Sequence, residues 1–432
     1  MSDAVTFSTN YVVTKGTTSR LLVRGDIASG AEEDDYRFWI AYDDVTAEDM
    51  DSGDVNVTGL DTLVRTVTIA AQGTFSMQKT TDASLQARIV AGGSLDEPVL
   101  KLRFAANELE AWYVKDLRFE LGPANDENVE RIKINYLDSN GDPKVASGTI
   151  SGGEVEFNGL NIYVPAGDSQ IVDVTLDIGS VTSGGAVAGN LAQIALDATA
   201  VTGSFKAVGA SSAEEVTQAD LDTVILSNWL RLAKSYPIVT SNDNISTAMS
   251  PNSELYSVTI AASEAGPIAM KQLCFDVVNV GGGAYTVDSA KIYKAGQSTD
   301  LETAGEVTLY EGVALCGATG RGVLVQWTQG HDNIDAGAST TYILKGGTSG
   351  AATGDKVTTT LIGDNDVSIN AGVVGDAQPY TVNGVDEYFV WSDWSASPTL
   401  FDEVFPATTS ADFLDGYLVE GLAGVTAHEV KY

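Results

Sequence analysis

Only two histidines occur among the 432 residues, His331 and His428, so a nucleophile–base–acid triad would have to use one of them. His331 sits in the turn-rich run Thr328–Asn333 and His428 lies four residues before the last residue, positions that read as solvated loops rather than catalytic ones. The chain contains no G-x-S-x-G elbow and no glycine-rich phosphate loop. Its two cysteines, Cys274 and Cys316, form no Cys-x-x-Cys pair, which excludes a zinc site of the usual kind. The chain therefore reads as non-enzymatic. The third-ranked alternative is a glycosidase, because that chemistry needs only two carboxylates at the right separation and 59 acidic residues are present.

Carboxylates are the credible ligand set. Glu32, Glu33, Asp34 and Asp35 precede a strand-like run with Tyr36, Phe38 and Ile40, and Asp43 and Asp44 follow it, with Glu48, Asp49, Asp51 and Asp54 beyond. Calcium takes ~6–8 oxygen ligands, so these residues are the candidate calcium ligands, set against the plainer reading of a solvated charged face. No other cofactor is implied. Asp138-Ser139-Asn140-Gly141-Asp142 resembles the opening of a calcium loop but lies between alternating strands, where Asn-Gly makes a hairpin turn. Trp391 and Trp394 are the candidate glycan-stacking pair, against the reading that they cover a core edge. Cys274 and Cys316 fall near aligned strands of one repeat and are the candidate disulfide.

The element that must position these residues is a repeat. Glu97–Leu121, EPVLKLRFAANELEAWYVKDLRFEL, recurs without a gap from Ser253, 156 residues later, as SELYSVTIAASEAGPIAMKQLCFDV. Leu100, Leu102 and Phe104 alternate with Lys101 and Arg103, as Tyr256, Val258 and Ile260 alternate with Ser257 and Thr259, the period of a half-buried strand. The back half of the unit appears three times, each with a Gly turn at Lys15-Gly16, Ala166-Gly167 or Ala336-Gly337 before a strand. Glycine (44) far exceeds proline (10), and Val, Thr and Ile runs broken by Gly, Asn, Asp and Ser clusters mark an all-β sandwich chain.

The expected architecture is all-β, tandem Ig-like β-sandwich modules with a partial N-terminal module and a β-rich C-terminal tail. The boundaries are 1–60 for the partial module, 61–205 for the first repeat, 206–227 for a linker, 228–370 for the second repeat and 371–432 for the tail. A short helix is expected near Ser212. The partial module is expected to be completed by strands from outside residues 1–60, with tail segments Tyr417–Val419 and Val425–Val430 as the donor, in the same chain or a neighbouring one.

A formal charge of −35, from 59 acidic and 24 basic residues, opposes binding to nucleic acid or to an anionic membrane surface. No window approaches ~18 consecutive apolar residues, and the N-terminus shows no signal-peptide pattern, so neither a span nor a leader is visible.

The modules, with their Ala-Gly or Lys-Gly turn and following D-I-x-S loop, closed by Phe389–Asp393 (FVWSD) and Asp412–Val419 (D-F-x-x-G-Y-L-V), resemble the large secreted β-sandwich-repeat surface proteins of candidate-phyla (Patescibacteria-type) bacteria. The resemblance implies an extracellular or cell-surface structural protein, a surface-layer or filament subunit that partners itself, with no catalytic residues. The alternative is an adhesin or carbohydrate-binding protein with a glycan partner.

Overall fold

The structure, a computed structural model, describes residues 5–26, 34–59, 62–68, 73–82, 85–122, 126–182, 185–197, 203–221, 224–242, 245–281, 286–327, 332–365, 380–382, 385–395 and 413–432. The chain is all-β and divides into a small unit, residues 1–72, and a large one, residues 73–432.

The large unit carries two β-sandwiches in tandem, and the repeat seen in the sequence is a repeat of strands. Glu97–Ala106 and Trp112–Leu121 in the first are matched by Ser253–Ala262 and Ile268–Val280 in the second, with starts 156 residues apart in both cases. In the first sandwich one sheet runs in the order Pro143–Thr149, Val129–Leu137, Ser169–Ile178, Glu97–Ala106, Phe75–Lys79. The other is built around Trp112–Leu121. Leu100, Leu102 and Phe104 point inward with no exposed surface, as the alternation predicts, and the rings of Phe75, Phe104, Trp112 and Phe205 meet at centroid distances of 5.7–6.3 Å. In the second sandwich Ser339–Ser349 pairs with Ser253–Ala262, as Ser169–Ile178 pairs with Glu97–Ala106.

The repeated turn glycines share one backbone state. Gly16, Gly167 and Gly337 have φ of +79°, +72° and +69°, the left-handed region where a Cβ is strained. In the two complete modules that turn also tucks beneath an acidic side chain, Glu108 or Glu264, which a Cβ would meet at 3.3 and 2.9 Å.

The module boundaries fall elsewhere than the repeat alone suggests. Strand Thr62–Thr68 pairs with Asp35–Ile40 in the small unit rather than opening the first sandwich. The segment read as a linker is structural: Phe205–Gly209 pairs with Trp112–Leu121, and Val224–Leu226 with Ile194–Asp197. A four-residue helix occupies Gln218–Leu221, later than the Ser212 cap predicts; the Ser212 hydroxyl donates to Glu110 at 2.8 Å and accepts the Glu214 N–H at 3.1 Å in a turn that leads into strand Glu215–Thr217. The C-terminal tail does the same work in the second sandwich. Val390–Ser392 pairs with Ile268–Val280, and His428–Lys431 pairs with Lys356–Leu361. "Linker" and "tail" are thus equivalent closing strands of two modules. The tail segment expected to donate a strand to the N-terminal module is instead spent here, with Val430 fully buried, and Tyr417–Val419 forms a turn.

The two sandwiches differ on the outer face of the matched strand. Arg118 in the first is ion-paired with Glu154 and Glu120. Its counterpart Cys274 is fully buried and disulfide-bonded to Cys316 at a Cα separation of 6.0 Å, in an apolar cluster with Leu324. The bridge closes a span of 42 residues, so chain-entropy arguments give about 3–4 kcal/mol of stabilisation. Reduction, or a C274S/C316S double variant, is expected to lower the urea-unfolding free energy of the large unit by about that amount. An unchanged midpoint and slope would show that the bridge constrains nothing in the unfolded chain.

Candidate assembly surface and tail clamp

The carboxylates singled out in the sequence lie around strand Asp35–Ile40. Glu32 and Glu33 lie outside the described residues. Asp34 and Asp35 stand at the start of the strand, where Asp34 Oδ1 accepts the Asp35 N–H at 2.7 Å and Asp35 Oδ1 accepts the Thr68 hydroxyl at 2.6 Å. Asp43 and Asp44 form a 3₁₀ turn with Tyr42 beyond its other end. At ~3.3 Å per residue the strand holds the two pairs about 17 Å or more apart, too far to share one ion. Among the described residues, no three or more His, Cys, Asp and Glu side chains gather as a metal site. Asp138 is a turn residue, its Oδ1 accepting the Asn140 and Asp142 N–H groups.

Between these acidic ends the strand carries Arg37 and then an open apolar run. Phe38, Trp39 and Ile40 are 54%, 59% and 44% exposed, and the sheet has only two strands. Among residues 5–26, 34–59 and 65–68, not one side chain is buried. Segment 5–26 runs without strand pairing and exposes Val5, Phe7, Val12, Leu21 and Leu22 at 70–75%.

The tail shows the opposite chemistry. Trp391 is fully buried, its indole N–H donating to the Asp415 carbonyl at 2.9 Å. Its faces therefore belong to the core, and the expected Trp391/Trp394 stacking platform is not formed. Trp394 is half-buried, with left-handed φ of +55°, and its carbonyl accepts Lys234 Nζ at 3.1 Å. His428 is buried within a strand rather than solvated, and His331 lies outside the described residues.

Residues that periodicity could not flag hold this tail. Arg231, fully buried, donates to Asp415 Oδ1 at 2.6 Å and to the Tyr417 carbonyl at 2.8 Å. Asp364 accepts three backbone N–H groups, from Tyr388 (2.7 Å), Phe389 (3.1 Å) and Gly416 (2.7 Å). Burial pushes the Asp364 carboxyl from 3.8 up to about 6, with the Asp415 charge adding to the rise and the three N–H donors opposing it. Asp393 Oδ2 accepts the Lys234 N–H at 2.7 Å. Lys271, the counterpart of half-buried Lys115, is buried with Nζ on the Trp327 carbonyl at 2.5 Å, and desolvation lowers its pKa to about 8. The one legible signal was the density of Asp in D-F-L-D-G-Y. A carboxylate beside Gly and aromatic residues in an otherwise apolar run needs a buried partner.

No protein family and no curated protein matches the chain. Among solved structures it is similar to the serine-rich repeat adhesion glycoprotein Srr1 of Streptococcus agalactiae (11% identity, 67% of this chain and 91% of that one, TM-score 0.17). It is also similar to the full-length major pilin RrgB of Streptococcus pneumoniae (13%, 60% and 43%, TM-score 0.18) and to a DUF4466 family protein of Parabacteroides merdae (11%, 84% and 100%, TM-score 0.21). The chain spans less than half of that pilin. Overlap at this level is shared β content and carries no functional information.

Arg231→Ala strands the Asp415 carboxylate in the interior and is expected to destabilise the large unit by about 3–5 kcal/mol, whereas R231M/D415L, which removes both charges, costs much less. Equal losses for the two variants in urea melts would show that no charge is stranded. The pH dependence has a definite sign. Asp364 binds its proton more tightly folded than unfolded, so its contribution to stability is smallest above pH 6 and grows as pH falls from about 6 toward 3.8. Asp364→Asn is expected to flatten the stability profile in that window, and a profile identical to wild type would contradict the assignment. Chelation at fixed ionic strength is expected to leave the melting temperature unchanged, since the carboxylates around Asp35–Ile40 do not converge; a drop would reveal a bound divalent ion.

Proposed function

We propose that this chain is a non-enzymatic structural protein of the cell surface or extracellular space, a surface-layer or filament subunit that assembles by β-strand addition with copies of itself. The observation that carries the reading is the contrast between its two units. The large unit completes both sandwiches with its own closing strands and buries their cores. The small unit has a two-stranded sheet around Asp35–Ile40, no buried residue within 5–26, 34–59 and 65–68, and a row of exposed aliphatic and aromatic side chains. A two-stranded sheet is marginal alone in water, and an apolar strand edge is a template for another chain.

The resemblance to secreted surface proteins points the same way, and so does the composition. A charge of −35 keeps bodies apart until a specific joint forms, and it disfavours nucleic acid and anionic membrane as partners. Among the described residues no helix is long and apolar enough to cross a membrane. The adhesin reading loses its specific support, since the tail tryptophans do not present a joint face to a glycan. Calcium has no part in the proposed joint.

Light scattering and electron microscopy of the purified full chain test the reading. Concentration-dependent growth into filaments or sheets is expected. A monomer or a small closed oligomer at every concentration would overturn it.

A further inference from the structure

The small unit contains both halves of a joint, and their charges are opposite. Residues 5–24 carry Lys15, Arg20 and Arg24 and no acidic residue, although the chain as a whole has 59 acids against 24 bases. Within this segment Arg20 and Arg24 bracket Leu21, Leu22 and Val23, which are 70%, 75% and 54% exposed. Strand Asp35–Ile40 has acidic residues outside its exposed apolar run, Asp34 and Asp35 before Phe38, Trp39 and Ile40 and Asp43 and Asp44 after them, with Arg37 as the one cation within the strand.

The donor is strand-competent by its own sequence. Aligned on the turn glycines Gly16 and Gly167, Leu21 and Val23 fall on Val172 and Val174, both fully buried in a strand with neighbours on both sides. In the small unit the same pattern has no strand neighbour among the described residues, although only ten residues separate Arg24 from Asp35. The acceptor edge is Arg37–Ile40, whose other side is already paired with Thr62–Thr68.

Resting on the assembly reading above, we propose that segment Arg20–Arg24 of one copy adds as a strand to the open edge of Arg37–Ile40 in a second copy of this chain. Main-chain hydrogen bonds extend the two-stranded sheet, Leu21 to Val23 cover Phe38, Trp39 and Ile40, and the two arginines reach the acidic residues beyond the strand ends. Each copy offers one donor and one acceptor, so the joint propagates head to tail.

Both native cysteines are in the disulfide, so an introduced thiol is unique. Leu22→Cys protein mixed with Phe38→Cys protein under mild oxidation is expected to give a mixed disulfide dimer. The double variant L22C/F38C is expected to give a ladder of covalent oligomers. Both positions are exposed, so neither change removes a core residue. R20E/R24E is expected to slow cross-linking about tenfold at low salt, and adding D43K/D44K to the partner is expected to restore it. Closure of the double variant into a monomer without free thiols would overturn the proposal, because the donor would then pair within its own chain. Absence of any cross-link while electron microscopy still shows polymers would also overturn it and leave the assembly reading standing. Cross-linked pairs without polymers would support the joint and overturn the filament.

Discussion

One buried ion pair ties together more of this molecule than any other contact. Arg231 lies on Leu230–Ala233, the strand between the two sandwiches, and its guanidinium reaches Asp415 and Tyr417 in the turn between the closing strands Val390–Ser392 and His428–Lys431. Burying an arginine is costly unless every donor direction is answered by a charge or carbonyl in fixed geometry. The strand on which Arg231 sits is thus tied to the tail as well as to Arg88–Ala91 and Leu191–Ala192, and the tail in turn is held by Asp364, Asp393 and the Trp391 indole. Junction and closing strands fold as one device.

This explains which parts of the fold were legible. Strands whose burial follows simple alternation, Glu97–Ala106 and Ser169–Ile178, could be read from Leu100, Leu102, Phe104, Val172 and Val174, and the repeat supplied their register. The disulfide was suggested by alignment of Cys274 with Arg118, an outward position. Its burial was not legible, because part of the cover comes from Ile362 and Tyr388, which lie far from both cysteines in the chain, beside the nearer Tyr310, Leu315 and Leu324.

The closing strands were the hard part. Phe205–Gly209 and Val390–Ser392 do the same job on matched strands, yet FKAVG and VWS share no motif, since a short strand needs only one or two buried side chains at the right parity. Paired strands far apart in sequence leave no local period, so 206–227 read as a linker and 371–432 as a tail. Arg231 and Asp364, and the identity of Asp415's partner, were invisible for a related reason. A buried charge is recognised by its partner, and these partners are separated by dozens to nearly two hundred positions.

The parallel pairing of Arg88–Ala91 with Leu230–Ala233 has a mechanical consequence. Residues 92–229, the body of the first sandwich, form a loop whose neck is closed by those four residue pairs, reinforced by the Arg88 N–H on the Trp229 carbonyl and the Gly92 N–H on the Ala233 carbonyl. A tension entering at Arg88 and leaving at Ala233 acts on opposite ends of two parallel strands. It loads their hydrogen bonds together in shear rather than peeling them one at a time. Between those two points the force passes across the neck rather than through residues 92–229, while Phe75–Lys79, upstream of the neck, is loaded through its own pairing with Glu97–Ala106.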